Sequence, residues 1–106
     1  MKVLETQSTE MGLTVRQGLA QKYGIEVRTL REPRRFETDE FRFFWPHIGL
    51  YSYIRPSNGQ TIYLIESEMS GPPDAIWWTT WAVDEEPTDE QIALIVFNDL
   101  RAGSVI

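Results

Sequence analysis

Residues 49–66 read GLYSYIRPSNGQTIYLIE, and this stretch decides the fold. Two runs rich in aromatic and β-branched residues, Gly49–Arg55 and Thr61–Glu66, flank Ser57-Asn58-Gly59-Gln60. Asn-Gly is the preferred pair for a two-residue type I′ hairpin turn, because glycine and asparagine tolerate its left-handed backbone. The spacing predicts a hairpin in which Ser57 pairs with Gln60, Arg55 faces Ile62, Tyr53 faces Leu64 and Tyr51 faces Glu66. Side chains alternate between the faces of a strand. Leu50, Ile54, Tyr63 and Ile65 therefore line the other face. With both faces apolar, the hairpin is expected to lie centrally in a sheet or to be covered on both sides.

Upstream, Thr14-Val15-Arg16-Gln17 matches a capping box, in which Thr and Gln satisfy each other's free backbone donors. Met11, Val15, Leu19 and Tyr23 follow at intervals of four, one stripe of a helix. Gly24 supplies its stop. Ile25–Leu30 alternates apolar and polar residues and reads as a strand ended by Pro33. Glu40–Trp45 (EFRFFW) reads as another, ended by Pro46. Lys2–Glu5 is a candidate short first strand.

Downstream, Gly71-Pro72-Pro73 marks Glu68–Asp74 as a loop. Ala75–Val83 (AIWWTTWAV) fits either a helix or a strand by periodicity. Its β-branched and aromatic content selects the strand. Thr88 and Gln91 form a second capping box, with Asp89 and Glu90 in the first turn. Ile92, Ile95, Val96 and Leu100 make the buried stripe of this last helix, with Phe97 at its margin. Arg101 suits its C-terminal end, and Gly103 closes it. The expected fold is α+β, an antiparallel sheet of about four to five strands packed with two helices near residues 10–23 and 88–101. The whole of 1–106 is expected to be a single domain.

Composition narrows the function classes. The chain is 42% hydrophobic and 25% charged, with four Trp, four Tyr and five Phe, which fits a packed core rather than a disordered chain. It has no cysteine, which removes disulfides, thiolate nucleophiles and sulfur-ligated metals together. The N-terminus turns polar too soon for a signal peptide. The longest apolar run, Ile92–Phe97, falls far short of the ~20 residues of a membrane span. A cytoplasmic, membrane-free protein is the expectation.

Charge is distributed unevenly. Residues 1–55 carry nine Lys/Arg and seven Asp/Glu, a net of +2, whereas residues 56–106 carry one Arg and nine acids, a net of −8. Such asymmetry suggests an interaction role, unless the two segments interleave in space.

Chemical motifs are sparse. His47 is the only histidine and sits beside Pro46 in a predicted turn. Glu66 and Glu68 lie two apart, so they share a strand face and could serve acid–base work or bind a hard cation. The same two residues also read as a solvated strand end. No phosphate loop, zincin motif or calcium loop is present. No catalytic residue, metal site or cofactor is assigned, and the chain is not expected to be an enzyme.

Two binding surfaces remain. Arg28, Arg31, Arg34 and Arg35 follow an Ala20-x-x-x-Gly24 spacing like that of the turn in helix-turn-helix proteins, and could contact phosphates. Pro33 cuts the second helix of that motif short, so nucleic acid is the less favoured partner. The other surface is acidic and bears tryptophans: Glu66, Glu68, Asp74, Trp77, Trp78, Trp81, Asp84, Glu85, Glu86, Asp89 and Glu90. Acids in a cluster steer a basic partner, and exposed aromatics anchor interfaces. The favoured expectation is a non-enzymatic protein-binding module. It could be a small inhibitor or adaptor that covers a basic, nucleic-acid-binding partner, as phage-encoded anti-defence proteins do. The alternatives are a nucleic-acid-binding protein and an oligomeric structural subunit, including a homodimer.

Overall fold

The computed structural model describes residues 1–9, 12–35, 47–71 and 75–104. Its order is β1 (Val3–Thr9), α1 (Val15–Tyr23), β2 (Arg28–Arg35), β3 (His47–Ile54), β4 (Thr61–Gly71), β5 (Ala75–Val83) and α2 (Asp89–Ser104). The strands form one sheet in the order β1-β5-β4-β3-β2, antiparallel throughout. The fold is α+β. Helix α1 joins β1 at one edge to β2 at the other, and β2–β5 then run as a meander.

The quoted hairpin is β3–β4, and β4 is the central strand, as its two apolar faces require. Its register differs from the expected one by two residues. Tyr53 pairs with Ile62, Tyr51 with Leu64 and Gly49 with Glu66. The turn is longer than Asn-Gly alone: Arg55 N–H donates to Gln60 O (2.8 Å) and Gly59 N–H donates to Arg55 O (2.8 Å). Pro56 has a fixed φ that favours the start of such a loop, and Gly59 supplies the left-handed position at φ 72°. A shift of two keeps every side chain on its expected face.

Each face has its own core. Ile48, Leu50, Ile65, Trp81 and Val83 pack with Ile92 and Val96 of α2. Tyr51, Ile62 and Leu64 pack with Val15 and Leu19 of α1 on the other face. The sheet is therefore sandwiched between the two helices, which accounts for the apolar character of both faces of β3 and β4.

Both capping boxes form. Gln17 N–H donates to Thr14 Oγ1 (3.2 Å) while Thr14 N–H donates to Gln17 Oε1 (3.0 Å). Thr88 and Gln91 repeat the exchange at 3.2 and 2.9 Å. Gly24 ends α1 in the left-handed conformation at φ 64°.

Several expected boundaries shift. Tyr23 is 73% exposed, so the stripe of α1 that packs on the sheet, itself only partly buried, stops at Leu19. The second strand starts at Arg28 rather than Ile25 and runs through Pro33, with register shifts between Thr29 and Arg31 and between Arg31 and Arg34. Proline is tolerated there because β2 is an edge strand, whose outer N–H groups have no ladder partner. β1 extends to Thr9, past the expected Glu5. Gly71 lies within β4, and Gly103 lies inside α2. The expected strand over Glu40–Trp45 falls outside the described residues, as does Met11.

Candidate functional site

Glu66 sits on the α1 face of β4, 7% exposed. A carboxylate so deeply buried needs a charged partner. Arg16, in the first turn of α1, supplies it through two parallel bonds, Nε to Oε2 and Nη2 to Oε1, each 3.0 Å. The planar guanidinium suits this bidentate contact. It also lies 4.5 Å above the centroid of the Tyr51 ring, in cation–π geometry. The bond to Glu66 raises the Arg16 pKa further above its already high value, against an opposing effect of burial. Burial raises the Tyr51 phenol, partly offset by the Arg16 charge.

Both oxygens of Glu66, expected among the partner contacts, are thus engaged inside the chain. Glu68, two residues on, is exposed on the same face, and His47 is its cross-strand partner on β3. Glu66 and Glu68, considered for acid–base or metal chemistry, therefore do share a face, and His47 lies on it with them. Among the described residues, however, no three His, Asp or Glu side chains gather as a metal site.

The arginine patch is divided. Arg31 and Arg34 of β2 both bind the Asp89 carboxylate at the start of α2, Arg34 Nη2 lying 2.5 Å from Oδ2. Arg31 pairs with Leu50 and Arg34 with Ile48, on the α2 face, whereas Arg35 pairs with His47 on the α1 face. Arg28 pairs with Ser52, also on the α2 face, so three of the four arginines share that face and Arg35 lies on the other. Asp89, about half exposed, is thus ion-paired within the chain, and at this point the basic and acidic segments interleave.

The tryptophans separate by face as the strand reading requires. Trp81 is 3% exposed and belongs to the α2-side core, so it is not an outward anchor. Trp77 and Trp78 are half-buried on opposite faces. Asp84 accepts a bond from the Lys2 backbone N–H (2.7 Å), and its own N–H donates to Lys2 O (3.2 Å). These two bonds hold the loop after β5 against the start of β1. Glu85, Glu86 and Glu90 are exposed. Glu85 lies 3.9 Å from the Met1 amino group with its side chain 70% exposed. Asp74 falls outside the described residues.

Two features escaped the sequence reading. The first is the outer edge of β1, where Glu5, Thr6, Gln7 and Ser8 are exposed beside the acidic loop. The second is a pocket of about 470 Å³ at the opposite end of α1, between Tyr23, Glu26, Arg28, Tyr53, Ile54 and Pro56. Tyr23 and Ile54 there are the two most conspicuous outward apolar side chains besides Leu94. No described helix is long and apolar enough to cross a membrane. Comparison with protein-family models, with curated proteins and with solved structures returns no match.

Proposed function

We propose that the chain is a non-enzymatic protein-binding module that offers an acidic margin to a basic partner. The observation that supports this reading is the grouping of exposed acids at one corner of the sheet. Asp84 ties the β5–α2 loop to Lys2, so Glu85 and Glu86 stand at the start of β1, with Glu5 two residues into that strand. Of the acids expected to meet a partner, Glu66 and Asp89 are held by arginines of the same chain; at this corner the Met1 amino group, 3.9 Å from Glu85, and Lys2 offset part of the acidic charge. A small inhibitor that covers a basic groove is one form such a module takes.

Charged margins act at long range and are screened by salt. Affinity capture at low salt, with and without nuclease, tests the reading. A stoichiometric protein should be retained after nuclease treatment and released near ~0.5 M salt, within whose Debye length of only a few ångströms surface charges cease to attract. The Glu85→Lys/Glu86→Lys variant should lose it. Undiminished capture by that variant would remove the acidic margin from consideration. Nucleic-acid binding has less support, since Arg31 and Arg34 already hold Asp89.

A further inference from the structure

We propose that the partner of this acidic margin joins the sheet itself, adding an extended basic segment as a sixth strand against β1. The inference rests on the protein-binding reading above and names how the partner is held.

The two sheet edges are built differently. An edge strand exposes a row of unpaired N–H and C=O groups that any other strand can use, and proteins blunt such edges with prolines, bulges and positive charge. β2 has all three. Pro33 lacks an N–H, the register shifts twice, and Arg28, Arg31, Arg34 and Arg35 line the strand. β1 has none over most of its length. From Glu5 to Thr9 it pairs with Ala82 to Trp78 residue for residue, its one irregularity falling before Glu5. It contains no proline, lysine or arginine, and Glu5 is its only charge. In an antiparallel pair every second residue directs its backbone groups away from its neighbour. Along Glu5–Thr9 those groups face outward beside exposed side chains, and among the described residues no strand pairs with them.

Charge selects the occupant. A second copy of the chain, which carries a net charge of −6, paired antiparallel along β1 would set the uncharged Gln7–Thr9 end of its own strand against Glu5 and offer it no cation. Opposite charges in cross-strand pairs stabilise a sheet and like charges oppose it. A segment with lysine or arginine at alternate positions places its positive side chains opposite Glu5 and toward Glu85 and Glu86. Main-chain bonds then give the affinity, and the one cation placed opposite Glu5 favours a register.

The probe is a capped synthetic peptide alternating lysine with threonine, compared with the same peptide N-methylated at alternate residues. N-methylation keeps the charge and removes the donors one strand edge needs. The unmodified peptide is expected to slow amide exchange within Glu5–Thr9 by about tenfold or more, a sign of newly bonded backbone. The methylated peptide is expected to bind about tenfold more weakly. Equal binding of the two peptides, no binding, or protection on β2 instead of β1 overturns strand addition. So does sedimentation of the free chain as a dimer with β1 protected, which would make a second copy the occupant. If the two peptides bind equally while Glu85→Lys/Glu86→Lys abolishes lysate capture, the acidic margin stands and only the added strand falls.

Discussion

Tyr51 lies flat across Gly49: a Cβ built on Gly49 would stand 2.7 Å from the Tyr51 hydroxyl oxygen and 2.8 Å from its ring. The glycine is there for close approach, since a strand interior otherwise gains from a side chain. Gly49 is also the cross-strand partner of Glu66, so the ring, the carboxylate and the Arg16 guanidinium stack over one bare patch of sheet. Gly49→Ala should destabilise the fold by about 1–3 kcal/mol, the usual cost of overpacking. Urea denaturation measures it, and in a Tyr51→Val background the added cost of Gly49→Ala should largely disappear. An alanine at 49 with unchanged stability would refute the close contact.

Arg16 neutralises a buried charge, so its removal should cost more than a surface ion pair. Arg16→Met leaves Glu66 unpaired, and the expected loss is about 3 kcal/mol, the lower part of the range for a broken buried pair because the arginine is itself partly exposed. Arg16→Met together with Glu66→Leu should regain most of that stability, because an apolar pair removes both desolvation costs at once. Strict additivity in the double-mutant cycle would show that the two side chains are not coupled.

The Asp89 clamp should behave differently. Arg31, Arg34 and Asp89 are each between about a third and a half exposed, so solvent screens them. Asp89→Asn should cost about 1 kcal/mol or less, combining the two ion pairs with the lost charge at the helix start. Most of that difference should vanish in high salt. Thermal melts of both chains at low and high ionic strength provide the check.

Tyr51 predicts a sign for the alkaline limb of stability. Burial raises its folded pKa, so the folded state holds the phenolic proton more tightly than the unfolded chain does. This contribution is complete below the unfolded pKa of about 10 and is lost as pH rises through the higher folded value. Stability of the native chain should therefore fall above that pH more steeply than that of Tyr51→Phe. Ultraviolet titration should find one phenolate forming later in the folded chain than in urea.

Local signals in the sequence were reliable where the physics is local. The two capping boxes, the Gly24 stop, the strand over Ala75–Val83 and the central hairpin follow from neighbours a few residues apart. The hairpin register was misread because Asn58-Gly59 was taken as the whole turn, whereas Pro56 starts the loop earlier. Pro33 was read as a terminator because nothing local says that its strand is an edge. The site was less legible. Arg16 and Glu66 are separated by 50 positions and Arg31 and Asp89 by 58, so no pattern in the chain marks either pair. Acids were counted as available to a partner when arginines distant in sequence already held two of them. Gly49 two residues before Tyr51 was the one readable hint, since a glycine within a strand often marks a place of close approach.

Helix α1 carries the chain from one edge of the sheet to the other, and this has a consequence for the order of assembly. β2, β3, β4 and β5 are consecutive strands, each laid beside the last, and their contacts close short loops. β1 must instead wait for β5, which lies about seventy to eighty positions away along the chain. Closing so long a loop is entropically slow, so the meander is expected to form first and β1 to dock last. The strand expected to dock last is by the same argument expected to detach first. An extended segment bound along β1 would then do more than occupy an edge, because it would hold that strand in place.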